Sequence, residues 1–233
     1  MIVRLLILLL GLFILAQGIA FTILANLGTD AITSPALVAH LVLGNPETGL
    51  GIEFCTVGRM LMCVHILFVL LQIAVLRSNY KPIQLLQVVM GLILGYMLDF
   101  CLSYTSLLPM PNYAMAIVYT LIGCVFCAFG IFTFVKANMI PLSAEGLCLA
   151  LSNTYKWRFS RVKVAVDCSM LLAAIVGSLI FFGAVEGVRE GSIICAVSVG
   201  YIIGWFLKVC PIWDKVIAAV GGGSDSKSET DLA

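Results

Sequence analysis

Several charged and amide side chains of this sequence lie inside stretches that are otherwise apolar. Lys163 and Asp167 are four residues apart in FSRVKVAVDCSMLL, so on a helix they share one face and can pair. Gln87 follows Gln84 by three residues in PIQLLQ, where amides can bridge helices or contact a polar ligand. A charge near the centre of a bilayer costs at least about 2.5 kcal/mol. Such residues therefore predict either a functional site or a structural ion pair.

Arg59, His65 and Asp99 are also set in apolar surroundings, and each has two readings. Arg59 begins an apolar stretch, where snorkelling to the outer surface explains it as well as ligand binding does. His65 lies deeper, and two interpretations stay open for it: a structural residue held by hydrogen bonds, or a proton relay. Asp99 lies towards the end of its stretch, where a solvated position is equally consistent.

Two polar stretches that resemble each other interrupt the apolar sequence. ANLGTDAITSPALVAHLVL carries Asn26 and Asp30, and ANMIPLSAEGLCLALSN carries Asn138 and Glu145. Together with the residues above, they give the substrate-binding hypothesis for this chain. Its eight members are Asn26, Asp30, Arg59, Gln87, Asn138, Glu145, Lys163 and Asp167.

The helices predicted in these two stretches are too short to cross a bilayer. Residues 29–43 would form a helix of about 20 Å and residues 143–153 one of about 16 Å, at 1.5 Å per residue. The hydrocarbon core is about 30 Å thick. Thr29, Asp30 or Ser34 could cap the first helix, and Ser143 the second. Each helix is thus either re-entrant and buried in protein, or flat at the interface, and the sequence leaves both open.

The elements that must position these residues are apolar helices in a membrane. The chain has 233 residues, of which 62% are hydrophobic and 11% charged, whereas soluble domains carry roughly 25% charged residues. Six stretches are long enough to span a bilayer, namely residues 2–24, 56–76, 83–107, 113–135, 160–182 and 191–209. We therefore predict an all-α polytopic membrane protein with six transmembrane helices and two short re-entrant or interfacial helices.

Basic residues indicate the orientation of the spans. With the N-terminus inside, Arg59 and Arg189 fall on the outer side. The other Arg and Lys residues fall on the inner side, as the positive-inside rule expects: Arg4, Arg77, Lys81, Lys136, Lys156, Arg158, Arg161, Lys163, Lys208, Lys215 and Lys227. Both termini are thus predicted to be cytoplasmic. Residues 212–233 are Gly/Ser-rich and charged, which predicts a disordered cytoplasmic tail.

The two halves of the sequence repeat the same order of elements. A shift of 112 residues places Gly11 on Gly123 and Gly18 on Gly130. A shift of 105 aligns the second spans of each half, and a shift of 109 aligns the third spans with their GxxxG pairs. Chance similarity between small-residue packing motifs is the alternative. We predict a first repeat over residues 1–110 and a second over 111–211. Because each repeat has three spans, the second must be inverted, as in many secondary transporters.

Several function classes lack support in the sequence. No zinc-protease, P-loop, nucleophile-elbow or dinucleotide motif occurs, so we predict no catalytic residues, no enzyme activity and no cofactor. The sequence has two histidines, and its cysteines lie mostly within spans. Because these residues form no recognisable set of metal ligands, we predict no metal site. Cys124 and Cys127 form a CxxC, for which packing is favoured over redox use in an intramembrane enzyme. The sequence has no basic cluster interleaved with aromatic residues, so it gives no indication of nucleic-acid binding.

The chain resembles the YczE/YitT-type bacterial integral membrane proteins. ANLGTDAITSPALV, LRSNYKPIQLLQ, GYMLDF, AEGLCLALS, FSRVKVAVD and VREGSIICAVSVG carry the resemblance, which extends to about Pro211. The family pattern has LGTSP after the first span, where this chain has Asp30 and Ala31 after Thr29. The resemblance implies a polytopic inner-membrane protein with a duplicated half, and it implies no particular substrate.

These observations predict a secondary transporter of a small solute or ion in the bacterial inner membrane, working by alternating access at the repeat interface. The alternative is a non-transport membrane scaffold or accessory subunit. The predicted partners are the lipid bilayer and an unidentified small solute or ion, and self-association of the chain stays open.

Overall fold

The structure, a computed structural model, describes residues 2–47, 49–77, 82–109, 112–136, 141–185 and 187–209, and those residues contain helices but no β-strand. The predicted all-α class is thus confirmed. Asn138 and the predicted tail, residues 212–233, lie outside the described residues. The α-helices are α1 (Ile2–Ala25), α2 (Thr33–Leu43), α3 (Val57–Leu76), α4 (Leu86–Thr105), α5 (Tyr113–Lys136), α6 (Ser143–Tyr155), α7 (Phe159–Phe182) and α8 (Glu190–Val209), and a 3-10 helix (Pro82–Leu85) precedes α4.

Within this described part, five helices are long and apolar enough to cross a membrane: α1, α3, α4 with its preceding turn, α5 and α7. Their outward faces are apolar too. On α7, for example, Val164, Leu172 and Ile180 are each more than half exposed, as expected where lipid rather than water is the solvent. The helices α2 and α6 are short, as predicted. This architecture supports a multi-pass membrane protein.

The centre of the structure is the antiparallel pair of α1 and α5. Gly11 packs against Gly130, and Gly18 packs against Gly123, so closely that a Cβ at any of the four would come within about 3 Å of the partner backbone. Lipid gives helices no hydrophobic reason to associate, so the close van der Waals packing that glycine allows is an important source of attraction between α1 and α5.

The remaining helices form two further layers on this pair. α4 packs on α1 and α8 packs on α5. The Gln17 amide of α1 donates to Thr105 Oγ1 of α4 and accepts from the Tyr104 hydroxyl. α3 packs on α4, α2 and α6, while α7 packs on α2 and α6. Each short helix therefore contacts one long helix from each half of the chain.

The glycines of the predicted GxxxG pairs differ between the halves. Gly91 lies under His65 and Gly95 lies under Met62, at distances that leave no room for a Cβ. Gly91 and Gly95 therefore allow α4 to pack closely on α3. At Gly200 in α8, by contrast, no described atom lies within 4 Å of an added Cβ.

We expect Gly18→Ala to destabilise the fold, because its methyl group would meet the backbone of Cys127 at 2.5 Å. Overpacking typically costs about 1–3 kcal/mol, so the melting temperature in detergent should fall. The matched control is Gly200→Ala, which makes the same change where space is open and should leave the melting temperature unchanged or higher. Equal melting temperatures for both variants would contradict the importance of the α1–α5 contact.

Candidate functional site

The start of α2 is held by its own chain. Asp30 Oδ2 accepts hydrogen bonds from the backbone amides of Ile32 and Thr33, each at 3.2 Å. The Ser34 hydroxyl donates to the Asp30 carbonyl at 2.9 Å, and Thr22 and Thr29 bond through their hydroxyls at 3.0 Å. The Asp30 carboxylate therefore satisfies amides of the first turn that would otherwise lack acceptors.

The start of α6 is held by another helix. His65 Nδ1 lies 2.6 Å from Ser143 Oγ, and Gln72 Nε2 donates to the Ser143 carbonyl at 2.8 Å. His65 lies near the middle of α3 and Gln72 closer to its end. Since both side chains reach the first residue of α6, this helix begins inside the bundle, beside the middle of α3.

Gly146 lets two carboxamides approach the first turn of α6. A Cβ at this position would lie 2.6 Å from Gln87 Nε2 and 2.9 Å from Gln72 Oε1. Any larger residue would therefore push the amides away. We call His65, Gln72, Gln87, Ser143 and Gly146 the amide cluster; it lies between α3, α4 and α6.

The amide cluster contains buried polar atoms that lack partners. His65 is 3% exposed, Gln72 0% and Gln87 1%. Among the described residues, no hydrogen-bond partner lies near His65 Nε2, Gln72 Oε1 or Gln87 Oε1. An unsatisfied buried polar atom costs about 1–3 kcal/mol. A site with such atoms is therefore suited to a small ligand that carries hydrogen-bond donors.

Glu145 lies on the side of α6 that faces α7. Its Oε2 is buried, and within the described part of the chain it has no hydrogen-bond partner. Lys163 of α7 interacts electrostatically with Glu145 and with Asp167. Lys163 Nζ lies 2.8 Å from Asp167 Oδ1, so the predicted pair is present. This charged group joins α6 to α7, whereas the amide cluster joins α6 to α3 and α4.

Two predicted site residues lie away from both groups. Asn26 is exposed at the end of α1, with a positive φ of 52° that asparagine tolerates better than most residues. The Arg59 guanidinium lies 4.4 Å from the ring centroid of Phe54 and donates to the Phe54 carbonyl at 2.9 Å. Of the eight predicted residues, the structure thus brings Gln87 and Glu145 to the first turn of α6, with Lys163 and Asp167 beside it.

The cysteines of the CxxC face different helices. Cys124 Sγ lies 3.3 Å from Cys195 Sγ of α8, while Cys127 lies against the Leu15 carbonyl of α1. Both are buried, as expected for cysteines that pack as small hydrophobes. In the ranges that the structure describes, no group of three or more metal-ligating side chains occurs.

A cavity of about 270 Å³ lies between α2 and α7 and is apolar. Val38, Ala174, Gly177 and Phe181 contribute to its walls. It offers no polar group to orient a ligand, so it is a less suitable polar-solute site than the amide cluster.

Sequence reasoning missed two members of the amide cluster as ligand candidates. Gln72 carries the signal that singled out Gln87, an amide inside an apolar stretch. Ser143 was expected only as a helix cap. Its contact with His65 depends on where α6 docks against α3, which residue spacing does not contain.

We expect Asp30→Ala to lower the melting temperature, because two amides of the first turn of α2 lose their acceptor. Loss of such a cap costs about 0.5–2 kcal/mol. Asp30→Asn keeps an acceptor oxygen and should retain most of the stability. If Asn and Ala lowered the melting temperature equally, the negative charge rather than the cap would be required.

Comparison with known proteins adds one match. The family model described as Family of unknown function (DUF6198) matches residues 2–208, which include almost all of the eight helices. No curated protein and no solved structure gives a significant match. The resemblance to YczE/YitT-type proteins is not addressed by this match and stays a prediction. The chain belongs to the DUF6198 family, a family of unknown function.

Proposed function

We propose that the chain is a secondary transporter of a small polar solute or ion across the bacterial inner membrane. It has six spans, with α8 as the sixth, and both termini are cytoplasmic. Two inverted repeats of three spans move relative to each other, and a site between them is exposed alternately to each side of the membrane. No nucleotide-binding motif occurs in the sequence, so energy comes from an ion gradient or a partner subunit.

The contacts between α1 and α5 support the inverted repeat. The shift of 112 residues pairs Gly11 with Gly123 and Gly18 with Gly130. Gly11 packs on the counterpart of Gly18, and Gly18 packs on the counterpart of Gly11. This exchange is what a two-fold axis between antiparallel equivalents produces. The contact of α4 with α1 and that of α8 with α5 follow the same rule.

The short helices support a site in the interior. Ile32, just before α2, packs against the apolar cluster that contains Phe68 of α3 and Ala144 of α6. Both short helices therefore start in the interior, which favours the re-entrant alternative over the interfacial one. Half-helices of this kind line the substrate sites of many transporters with inverted repeats.

The observation that carries the proposal is the set of unpartnered polar atoms in the amide cluster. A structure under selection for stability alone would fill this place with apolar side chains, because buried polar atoms without partners are costly. The unpartnered amide oxygens can accept hydrogen bonds. The cluster therefore suits a compact solute that carries hydrogen-bond donors.

A scaffold or accessory subunit is the second candidate. Lys163 and Asp167 form a closed pair, and the cavity between α2 and α7 is apolar. Both features fit a protein whose interior serves only packing. The two candidates differ in what the amide cluster does, which a substitution can test.

We expect Gln87→Met to reduce transport about tenfold at solute concentrations below saturation and to leave the protein folded. Methionine is similar in size and removes the buried Oε1 atom that has no hydrogen-bond partner among the described residues, so the change should cost little stability. Loss of one ligand hydrogen bond worth about 1.4 kcal/mol reduces binding roughly tenfold. Purified protein in liposomes is assayed for uptake of a panel of amino acids, amides, polyols and monovalent cations. Arg59→Gln, at the outer end and outside the amide cluster, is the control and should transport normally.

A scaffold predicts a different pattern in the same experiment. No panel member would then move faster into liposomes with the unmodified protein than into empty ones. Transport by Gln87→Met at the normal rate would also contradict a role for the amide cluster, whatever the solute.

A further inference from the structure

The outer ends of α3 and α4 are joined by a clamp. Asp99 Oδ2 accepts from Thr56 Oγ1 at 2.6 Å, and Asp99 Oδ1 accepts from the Gly58 amide at 2.8 Å. Gly58 and Gly95 also touch, because a Cβ at Gly58 would overlap the Gly95 carbonyl. A carboxylate at a helix start and a glycine contact together hold α4 on α3.

In the sequence of the second half, neither Asp99 nor Gly58 of this clamp is repeated. The shift of 105 residues places Lys163 at the position of Gly58, and the shift of 109 places Lys208 at the position of Asp99. A lysine cannot accept hydrogen bonds from the start of α7. The side chain of Lys163 also prevents the backbone approach that Gly58 allows.

The packing of α7 and α8 agrees with this substitution pattern. α3 packs along α4, but over the described ranges α7 packs on α2 and α6 and not along α8. A short connection, residues 183–189, joins the C-terminal end of α7 to the N-terminal end of α8. The chain therefore joins the two helices at the outer end, and no extensive packing between them is found along the described residues.

The face of α7 that corresponds to the α4-contacting face of α3 carries charge. Lys163 and Asp167 take the positions of Gly58 and Met62, the residues of α3 that face Gly95. Their side chains are 30% and 32% exposed. An ion pair open to lipid within a span is unfavourable, whereas the same pair facing water is not. Glu145, one helix away, adds a second carboxylate to the group.

We propose that the face between α7 and α8 is a water-filled vestibule that opens to the cytoplasm and leads past Lys163 and Asp167 to the start of α6. The Asp99 clamp seals the equivalent route on the outer side. This inference rests on the inverted repeat and the orientation in the proposed function. It assigns the structure to an inward-open state and gives the Lys163–Asp167 pair the role of lining the entry path.

Thiol labelling tests the vestibule without any transport assay. Met170 lies three residues beyond Asp167 on the same side of α7 and is partly buried against the apolar cluster that contains Ala144 of α6, so it samples the inner part of the path. Single-cysteine variants Asp167→Cys and Met170→Cys are made in a background whose native cysteines are replaced by serine. Val164→Cys and Leu172→Cys, which are 62% and 61% exposed on α7, are the controls on the lipid-facing side. A charged, membrane-impermeant maleimide is added to inside-out and to right-side-out vesicles.

We expect Met170→Cys and Asp167→Cys to react at least tenfold faster than both controls, and only in inside-out vesicles. Met170→Cys retains the Lys163–Asp167 pair, so its result stands even if Asp167→Cys misfolds. Reaction at the rate of the controls in both vesicle types would overturn the vestibule. Faster reaction in right-side-out vesicles alone would show that the vestibule opens to the outer side, and would contradict its proposed opening to the cytoplasm.

A second copy of the chain covering this face would also overturn the proposal. It would be detected as dimers formed by a bifunctional thiol reagent at Met170→Cys. Because labelling reports water access, failure of transport with intact labelling contradicts only the proposed function. Failure of labelling with intact transport contradicts only the vestibule.

Discussion

The close approach of α1 and α5 is the contact on which the rest of the structure depends. Four glycines bring the two backbones together, and no side chain could replace them at that distance. In the proposed inverted repeat, α1 and α5 belong to different halves, so this antiparallel contact orients one half against the other. α4 packs on α1 and α8 packs on α5. The short helices lie between α3 and α7, where the proposed function places the solute.

Burying the start of a helix requires partners for its free amides and places a polar group in an apolar interior. The starts of the two short helices are held differently. At α2, the neighbouring Asp30 accepts from two amides of the first turn, and hydroxyls of Thr22, Thr29 and Ser34 make further local hydrogen bonds. At α6, His65 and Gln72 of α3 contact the hydroxyl and the carbonyl of Ser143. The two starts are therefore not equivalent, and among the described residues the unpartnered amide oxygens of Gln72 and Gln87 lie beside that of α6. In the proposed inverted repeat, this difference would suit a ligand without symmetry of its own.

Much of the fold could be predicted from sequence, because apolar runs in a membrane leave few alternatives to helices. The ends of all eight helices lie within a few residues of prediction, except that α2 begins at Thr33 rather than near residue 29. The Lys163–Asp167 pair was also predictable, since spacing of four residues on one helix is a local property. The amide cluster was not, because it joins α3, α4 and α6. Periodicity indicates which face of a helix is polar, but not which face of another helix it meets.

In the proposed inverted repeat, Lys163 stands where the first half has Gly58, and this difference bears on how the two ends of the molecule behave. Two identical half-length chains, paired antiparallel about a two-fold axis, would carry the same residue at both ends and so would close both or open both. When both halves lie in one chain, each end can have its own residue. A glycine at one end and a lysine at the other then give a nearly symmetric pair a front and a back. Directionality of this kind is encoded in the sequence and needs no second protein to impose it.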